Sequence, residues 1–139
     1  MRLSVKTDYA ARAVLELAKQ PVNGQACKVE ELALASGTSA NFLVQILIDL
    51  KSAQIVASAR GKQGGYRLAK PPENITLRDV WRAVDGQVLD TPALEDENCP
   101  EVLQEAWAQI RDSVNRESDE INFAQLLEVT GREKEMYYI

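Results

Sequence analysis

The first part of the chain repeats its apolar residues with a helical period. Within residues 8–19, Tyr9, Ala13 and Leu17 recur every four positions, which predicts an amphipathic helix. Thr7 precedes this segment and has a hydroxyl that can accept a hydrogen bond from the first turn, so we expect it to be the N-cap. A proline and an Asn-Gly pair downstream predict the end of this helix.

Two further helices follow closely. Residues 29–36 predict a short helix that Gly37 ends, and residues 40–52 predict a longer helix with Ser39 as its N-cap. The longer helix has one apolar stripe, which consists of Phe42, Leu43, Ile46, Leu47 and Leu50. Two helices separated by a glycine and a capping serine predict a helix-turn-helix.

A basic hairpin is predicted directly after the third helix. The run from residue 55 to 68, IVASARGKQGGYRL, predicts two strands joined by a glycine-rich turn at residues 61–65. Arg60, Lys62 and Arg67 give this hairpin three positive charges, and no acidic residue accompanies them. A hairpin of this kind is typical of the wing of a winged helix-turn-helix domain. The predicted fold is therefore mainly α with a small β-hairpin.

The pattern changes after the hairpin. Residues 76–79 resemble a capping box that opens a fourth helix, and this helix ends near residue 85. Residues 87–98 are polar and acidic without periodicity, which predicts a loop. Residues 122–129 predict a last short helix, and we expect a frayed tail from Gly131 onward.

A long helix is predicted from about residue 100 to 117. It carries a narrow apolar seam on an otherwise charged surface, formed by Leu103, Trp107, Ile110 and Val114. We predict that this seam pairs with a second copy of the chain; the alternative is that it packs back on its own chain. The organisation expected is a winged helix-turn-helix domain at 1–86, a sensor-type loop at 87–99, and a dimerisation helix with a C-terminal helix at 100–139.

Charge divides the chain into two unequal parts. The net charge is −5 overall, but residues 1–82 hold 12 Lys and Arg against 7 Asp and Glu, a net charge of +5. Residues 83–139 hold 4 against 14, a net charge of −10. The basic part is suited to approach a polyanion while the acidic part faces away. The acidic part is either a solvated surface or a site for a partner protein.

Several classes of function are excluded by what the sequence lacks. The N-terminal segment is charged throughout and has no apolar run near the roughly 18 residues of a membrane helix, so we expect no signal peptide, no membrane span and a cytoplasmic protein. The chain has no histidine to serve as a general base. It also has no phosphate-binding loop or metal motif. We predict no catalytic residues and no enzymatic activity.

Double-stranded DNA is the partner that these elements predict. In a helix-turn-helix, the first residues of the second helix enter the major groove, where Asn41 and Gln45 are suited to contact adenine. Arg60 is expected to enter the minor groove from the wing. The predicted contact set is Ser39, Ala40, Asn41, Phe42, Val44, Gln45, Arg60, Lys62, Gln63, Gly64 and Gly65, with Arg2, Lys6 and Lys51 as further phosphate partners.

These segments resemble a known family. The motifs MRLS-x-K-x-D-YA at the start, G-x-S-x-x-F-L-x-Q in the third helix, RG-x-x-GGY-x-L in the wing and ITLRDVWRAVDG at 75–86 are similar to those of the IscR, NsrR and CymR regulators, the Rrf2 family. The resemblance implies a homodimeric bacterial transcription factor whose long helices cross at the dimer interface and which binds a pseudo-palindromic operator. It places Ser39, Asn41, Phe42, Gln45 and Arg60 at or beside DNA-contacting positions.

The sequence departs from the family in its sensor. Many members hold an iron–sulfur cluster with three cysteines in the loop before the long helix, whereas this loop contains Cys99 alone. Asp8 matches a first-helix position that supplies a carboxylate ligand in some members. Cys27 precedes the second helix, where a small buried hydrophobe is expected. We predict no cofactor; a cluster, if bound, would use Cys99, Asp8 and Cys27, with oxygen ligands or with Cys99 shared between subunits.

Cys99 has a second interpretation. Pro100 disfavours helical geometry at the residue before it, so Cys99 is expected to be the N-cap of the long helix. The positive end of the helix dipole would favour a redox-reactive thiol there, although the neighbouring acidic residues oppose this. The alternative is an inert capping residue.

Two functions from different classes remain open on the sequence. The first is transcriptional regulation by a DNA-binding homodimer, with a possible response to redox state or to an iron–sulfur cluster. The second is a protein-interaction module that docks a metabolic enzyme through its acidic half and has weak or lost operator binding. The salt dependence of duplex binding distinguishes them, because phosphate contacts make affinity fall steeply with salt.

Overall fold

The computed structural model describes residues 3–21, 24–62 and 64–138, with 133–138 as backbone only. Over these residues the chain forms helices and one two-stranded antiparallel sheet, in the order α1 Val5–Ala18, α2 Val29–Ser36, α3 Ala40–Ser52, β1 Val56–Ala59, β2 Gly65–Leu68, α4 Leu77–Asp85, α5 Glu101–Asp119 and α6 Phe123–Tyr138. Short 3₁₀ turns occur at Pro72–Asn74 and Pro92–Leu94. The mainly helical fold with a small hairpin confirms the predicted fold class.

Helix α1 begins earlier than the sequence pattern predicted. Ser4, and not Thr7, is the N-cap, because the Ser4 hydroxyl accepts a hydrogen bond from the backbone N–H of Thr7 at 3.0 Å. Thr7 lies inside the helix and is buried. Both hydroxyls donate to Oδ2 of Asp85, each at 2.6 Å, so the start of α1 is joined to the last residue of α4.

The helix-turn-helix forms with the predicted bounds. Gly37 ends α2 in the left-handed region, at a φ of 80°, which a glycine adopts without a Cβ penalty. The Ser39 hydroxyl accepts the N–H of Phe42 and so caps α3. The two helices are bent by 103° at the break between them, within the range of about 90–120° that is usual for this motif.

No single helix within the described residues is long and apolar enough to cross a membrane. Helices α2 and α3 reach that length and composition when taken together, across their bend.

The wing is held to the body of the domain by a third piece of chain. In the hairpin, Val56 pairs with Leu68 and Ala59 with Gly65. Beyond this pairing, the backbone N–H of Cys27 donates to Tyr66 O at 2.8 Å, and the N–H of Tyr66 donates to Cys27 O at 2.7 Å. Cys27 therefore forms a single antiparallel bridge with β2, outside the two-stranded sheet.

The C-terminal helix returns to the core. The N–H of Leu77 donates to Ile121 O, and the N–H of Phe123 donates to Ile75 O, so the starts of α4 and α6 are bonded together. Phe123 is 1% exposed and belongs to the same core as α1 and α3. The frayed tail expected from Gly131 is wrong at the backbone level, since α6 continues to Tyr138.

The N-cap of α5 also differs from the prediction. Pro100 is the cap residue and makes no side-chain capping hydrogen bond, whereas Cys99 lies one residue further out. The Cys99 thiol instead donates to the carbonyl of Pro100, with 3.7 Å between sulfur and oxygen. The sequence pattern predicts the start of the helix but places its N-cap one residue too early.

Candidate nucleic-acid interface

The first turns of α3 present polar side chains outside the buried stripe of the helix. Asn41 and Gln45 are exposed, whereas the apolar residues of the stripe behind them, Leu43, Ile46, Leu47 and Leu50, are completely buried. Ala40 and Val44 are partly exposed beside them. Because the stripe fixes the rotation of α3 about its axis, the two amides are held outward and apart from the core.

Phe42 has a structural part in this interface. It is half-buried, and its ring meets the Tyr9 ring of α1 edge to face, with 6.0 Å between centroids. This aromatic contact joins α3 to α1. Phe42 therefore helps to fix the position of α3, from which its neighbours could contact bases.

The wing presents its cations to solvent. Arg60 and Lys62 are exposed, and no ion pair within the described residues includes either of them. Lys62, Gly64 and Gly65 line a shallow groove that also includes Lys28 at the start of α2. Lys28 is a further cation beside the wing and is not in the predicted contact set, although its position just before α2 is a local signal for it.

Two members of the predicted contact set, Lys6 and Gly64, have hydrogen-bond partners within the domain. Lys6 donates to Asp49 of α3 at 2.6 Å, so its charge is engaged within the domain. The N–H of Gly64 donates to Gly61 O at 2.9 Å and closes the turn of the wing. Lys51 is exposed at the end of α3. Arg2 and Gln63 lie outside the described residues.

Arg12 holds the helix-turn-helix to α1. Its guanidinium donates to both carboxylate oxygens of Asp8, at 3.2 and 2.9 Å, and to Ser36 O at 3.2 Å. It also lies 4.7 Å from the centroid of the Tyr9 ring. The Asp8–Arg12 spacing of four residues predicts the ion pair but not the contact with α2, because that contact depends on the tertiary fold.

The cluster ligands suggested by the resemblance are not brought together. Asp8 is paired with Arg12, Cys27 is 8% exposed within the core, and Cys99 lies at the start of α5. No group of three or more His, Cys, Asp or Glu residues suited to a metal occurs in the described part of the chain. These residues do not fit an iron–sulfur cluster, which takes thiolate ligands in most proteins.

The Cys27 thiol is held in its neutral form. Burial raises its pKa above the ordinary value, and the carboxylates of Glu31 and Glu16 raise the pKa further. The expectation that Cys27 is a small buried hydrophobe is confirmed by its place in the core.

The apolar seam of α5 remains uncovered in the single chain. Leu103, Trp107 and Ile110 are between 42% and 47% exposed, and Val114 is partly exposed. Val102 lies beside them and is 72% exposed. Soluble monomers rarely leave such a run of large apolar side chains open, and such patches mark interaction sites.

The family model described as an iron-dependent transcriptional regulator, Rrf2, matches residues 3–129. The chain is similar to an HTH-type transcriptional regulator of Mycobacterium tuberculosis, with 34% identity over 131 residues that cover 91% of this chain and 81% of the relative. It is also similar to the transcriptional regulator CymR of Bacillus subtilis, with 33% identity over 137 residues that cover 99% of this chain and 97% of CymR.

Solved structures of two such regulators resemble the fold. The structure of CymR, named as the global cysteine regulator of B. subtilis, superposes with a TM-score of 0.79 at 28% identity and covers 93% of this chain and 98% of its own. The structure of T. potens IscR gives a TM-score of 0.73 at 28% identity, with 94% and 88% covered.

Proposed function

This chain belongs to the Rrf2 family of helix-turn-helix transcriptional regulators, whose members are not enzymes, and from this premise we propose that it acts as a homodimer on a pseudo-palindromic operator. In this proposal α3 enters the major groove, and Arg60 enters the neighbouring minor groove from the wing. Each copy of a dimer would present its α3 and its wing to one half of the operator.

The exposed basic wing is the observation that carries the proposal. Arg60 stands at the base of the turn, exposed and without an ion-pair partner in the described chain. An arginine with this freedom suits a narrow A·T-rich minor groove, where the negative potential is enhanced. In this proposal Lys62 and Lys28, which line the groove between the wing and α2 together with Glu30, contact phosphates on either side of it.

The recognition helix supports a modest contribution from base contacts. Asn41 and Gln45 each offer an amide that can pair with adenine in the major groove. The exposed positions of this helix turn include no arginine, so guanine-directed bidentate contacts are not part of the proposal. We infer that much of the specificity comes from the shape of the minor groove and the rest from these two amides.

The open seam on α5 supports the homodimer. Leu103, Trp107 and Ile110 would pack against the same residues of a second copy, which is the self-complementary arrangement of a twofold interface. Val114 lies at the edge of a shallow groove of about 470 Å³ between α4 and α5, so the partner's helix would also have this groove to fill.

We also propose that DNA binding by this chain does not depend on an iron–sulfur cluster. The carboxylate of Asp8 is used by Arg12, and Cys27 is enclosed in the core. Cys99 is partly exposed and remains the better placed of the two thiols for a redox response.

The central experiment compares variants of Arg60 on a duplex selected from a random pool by the wild-type protein. Arg60→Ala is expected to weaken binding about 10- to 100-fold, since one base-edge or groove contact contributes about 1–3 kcal/mol. Arg60→Lys should retain part of the affinity because it keeps the charge. Arg111→Ala, on α5, is the matched control and should leave the affinity unchanged.

A salt series on the same duplex separates the proposal from the alternative function. A protein with several phosphate contacts should lose affinity by about a thousandfold or more between 50 and 200 mM salt. A flat salt response, or an Arg60→Ala variant that binds as tightly as the wild type, would contradict operator binding and favour a protein-interaction module.

A further inference from the structure

A pocket lies behind the wing, between β2 and the C-terminal end of α1. Its volume is about 270 Å³. Leu17 forms the α1 side, Tyr66 and Leu68 form the wing side, and Pro71 forms part of the rim. Small-molecule sites are usually concave and mostly apolar, with a few polar groups that fix the ligand. This pocket has the concave shape and the apolar walls of such a site.

The charged side chains that line the pocket are both cations. Arg67 and Lys70 both line it, together with the amides of Gln20 and Gln25, and no acidic residue is among the lining residues. Neither cation takes part in an ion pair within the described residues. The C-terminal end of α1 brings a partial negative charge of only about half a unit, which two full positive charges outweigh.

The wing divides its cations between two faces. Lys62 lines the groove beside α2, whereas Arg67 lines the pocket together with Ala57, its partner across the hairpin. Arg67 therefore lines the pocket, whereas Lys62 does not. This division gives Arg67 a role separate from the proposed DNA contacts of Arg60 and Lys62.

We propose that this pocket binds a small organic anion, a carboxylate with a short apolar body, and that its occupancy changes the affinity for DNA. The volume lies just below the roughly 300–1,000 Å³ of sites for drug-sized ligands, which favours a metabolite-sized molecule. The carboxylate would lie between Arg67 and Lys70, and the apolar body would lie against Leu17 and Leu68.

The backbone of β2 would connect ligand binding in the pocket to the affinity of the wing for DNA. Tyr66 is bonded to Cys27 in both directions, so β2 is fixed to the segment that leads into α2. A ligand held by Arg67 on β2, by Lys70 beyond it and by Leu17 on α1 would fix the wing relative to α1. The proposal that an anion binds is argued from the pocket alone. The proposal that the bound anion changes the affinity for DNA rests on the proposed function.

Titration of the full chain, without DNA, tests the site. The probes are hexanoate, benzoate and glutarate, with hexanamide and benzamide as uncharged controls, and the measurement is the shift of backbone amide resonances. We expect saturable shifts at millimolar carboxylate, centred on the lining residues Gln20, Gln25, Ala57, Leu68 and Ala69. Absence of saturation with all three carboxylates, or equal binding of the uncharged amides, would overturn the proposal.

Paired substitutions assign the charge. Arg67→Gln with Lys70→Gln should weaken carboxylate binding at least tenfold, because both charges are removed while each position keeps a polar side chain. Lys28→Gln with Lys51→Gln removes two cations outside the pocket and should leave carboxylate binding unchanged. Thermal unfolding of both double variants verifies that each is folded. Equal loss in both pairs would show a general charge effect and overturn the assigned site.

The effect on DNA is measured by repeating the duplex titration with each carboxylate that binds. A shift of at least threefold in duplex affinity, absent from the Arg67→Gln/Lys70→Gln variant, is expected. An unchanged duplex affinity would overturn the coupling, while the resonance shifts would still establish the site. Failure of the Arg60→Ala test would overturn operator binding and leave the carboxylate titration unaffected, so the two failures are distinguishable.

Discussion

Cys27 shows how the surroundings of one side chain set its chemistry. It is 8% exposed, and its backbone is bonded on both sides to Tyr66. Burial raises the pKa of its thiol from the ordinary 9.0, and the nearby carboxylates of Glu31 and Glu16 add to the rise. A neutral, enclosed thiol is a poor nucleophile, because the thiolate is the reactive form. Cys27 is therefore a packing residue at the junction of the wing and α2.

This environment predicts a stability change at alkaline pH. Well below pH 9.0 the thiol keeps its proton in both the folded and the unfolded chain, so the contribution of Cys27 to stability is fully present. As the pH rises above 9.0, the unfolded chain loses the proton first and the free energy of unfolding falls. From pH 8 to pH 10, the midpoint of urea unfolding should fall further for the wild type than for Cys27→Ala. Equal declines would contradict the raised pKa.

At the scale of elements, the wing depends on one glycine for its approach to the body of the domain. Gly65 has a φ of 152°, and a Cβ on it would lie 2.2 Å from the carbonyl oxygen of Cys27. Gly61, at the other end of the turn, has a φ of 98° but open space around its Cβ position. A side chain at Gly61 would therefore meet backbone strain alone, whereas a side chain at Gly65 would also clash with the backbone of Cys27.

Gly65→Ala should therefore be more damaging than Gly61→Ala. The Gly61 variant meets only the cost of a positive φ, which is about 1 kcal/mol, and should keep the wing in place. The Gly65 variant must break the Cys27–Tyr66 bridge, with loss of duplex affinity and a larger fall in the urea midpoint. Equal effects of the two substitutions on duplex affinity would contradict the role assigned to this bridge.

The same elements show which features the sequence predicts. Helices α2, α3 and α4 agree with their expected bounds, because a glycine, a serine cap and a capping box mark their ends locally. Thr7 was mistaken for a cap because hydroxyl residues occur at both possible starts of α1, and the tertiary contact with Asp85 is not visible in the local pattern. The extent of α6 was missed because its polar end carries little periodicity.

Local patterns account for only part of the geometry of the candidate interface. The exposure of Asn41, Gln45 and Arg60 follows from local patterns, since the buried stripe and the strand signals place them outside. Lys6 was expected at a phosphate, but its partner Asp49 comes from another helix. The pocket behind the wing likewise joins Leu17 to Arg67, two residues whose proximity only the fold creates.

At the scale of the whole molecule, the seam of α5 is an apolar surface that the described part of the chain leaves uncovered, and we expect it to direct assembly. Leu103, Trp107 and Ile110 are each partly covered by their own chain, so a second copy gains about 1 kcal/mol for each side chain that it covers. In a twofold interface, the side chains of both copies contribute this free energy of burial. A charge placed in the centre of the interface must be desolvated, at a cost of several kcal/mol.

Trp107→Glu combined with Ile110→Glu is accordingly expected to convert a dimer into a monomer, as measured by light scattering on a sizing column. Leu34→Glu is the matched control, since Leu34 is 85% exposed on α2 and lies outside the seam. The monomeric variant should keep its helical content, and it should bind a single half-site as the wild type does. Its affinity for the full operator should fall at least a hundredfold, because one copy cannot hold both half-sites at once. A double variant that remained dimeric would contradict the assignment of this seam, and a wild type that was monomeric at micromolar concentration would contradict the homodimer itself.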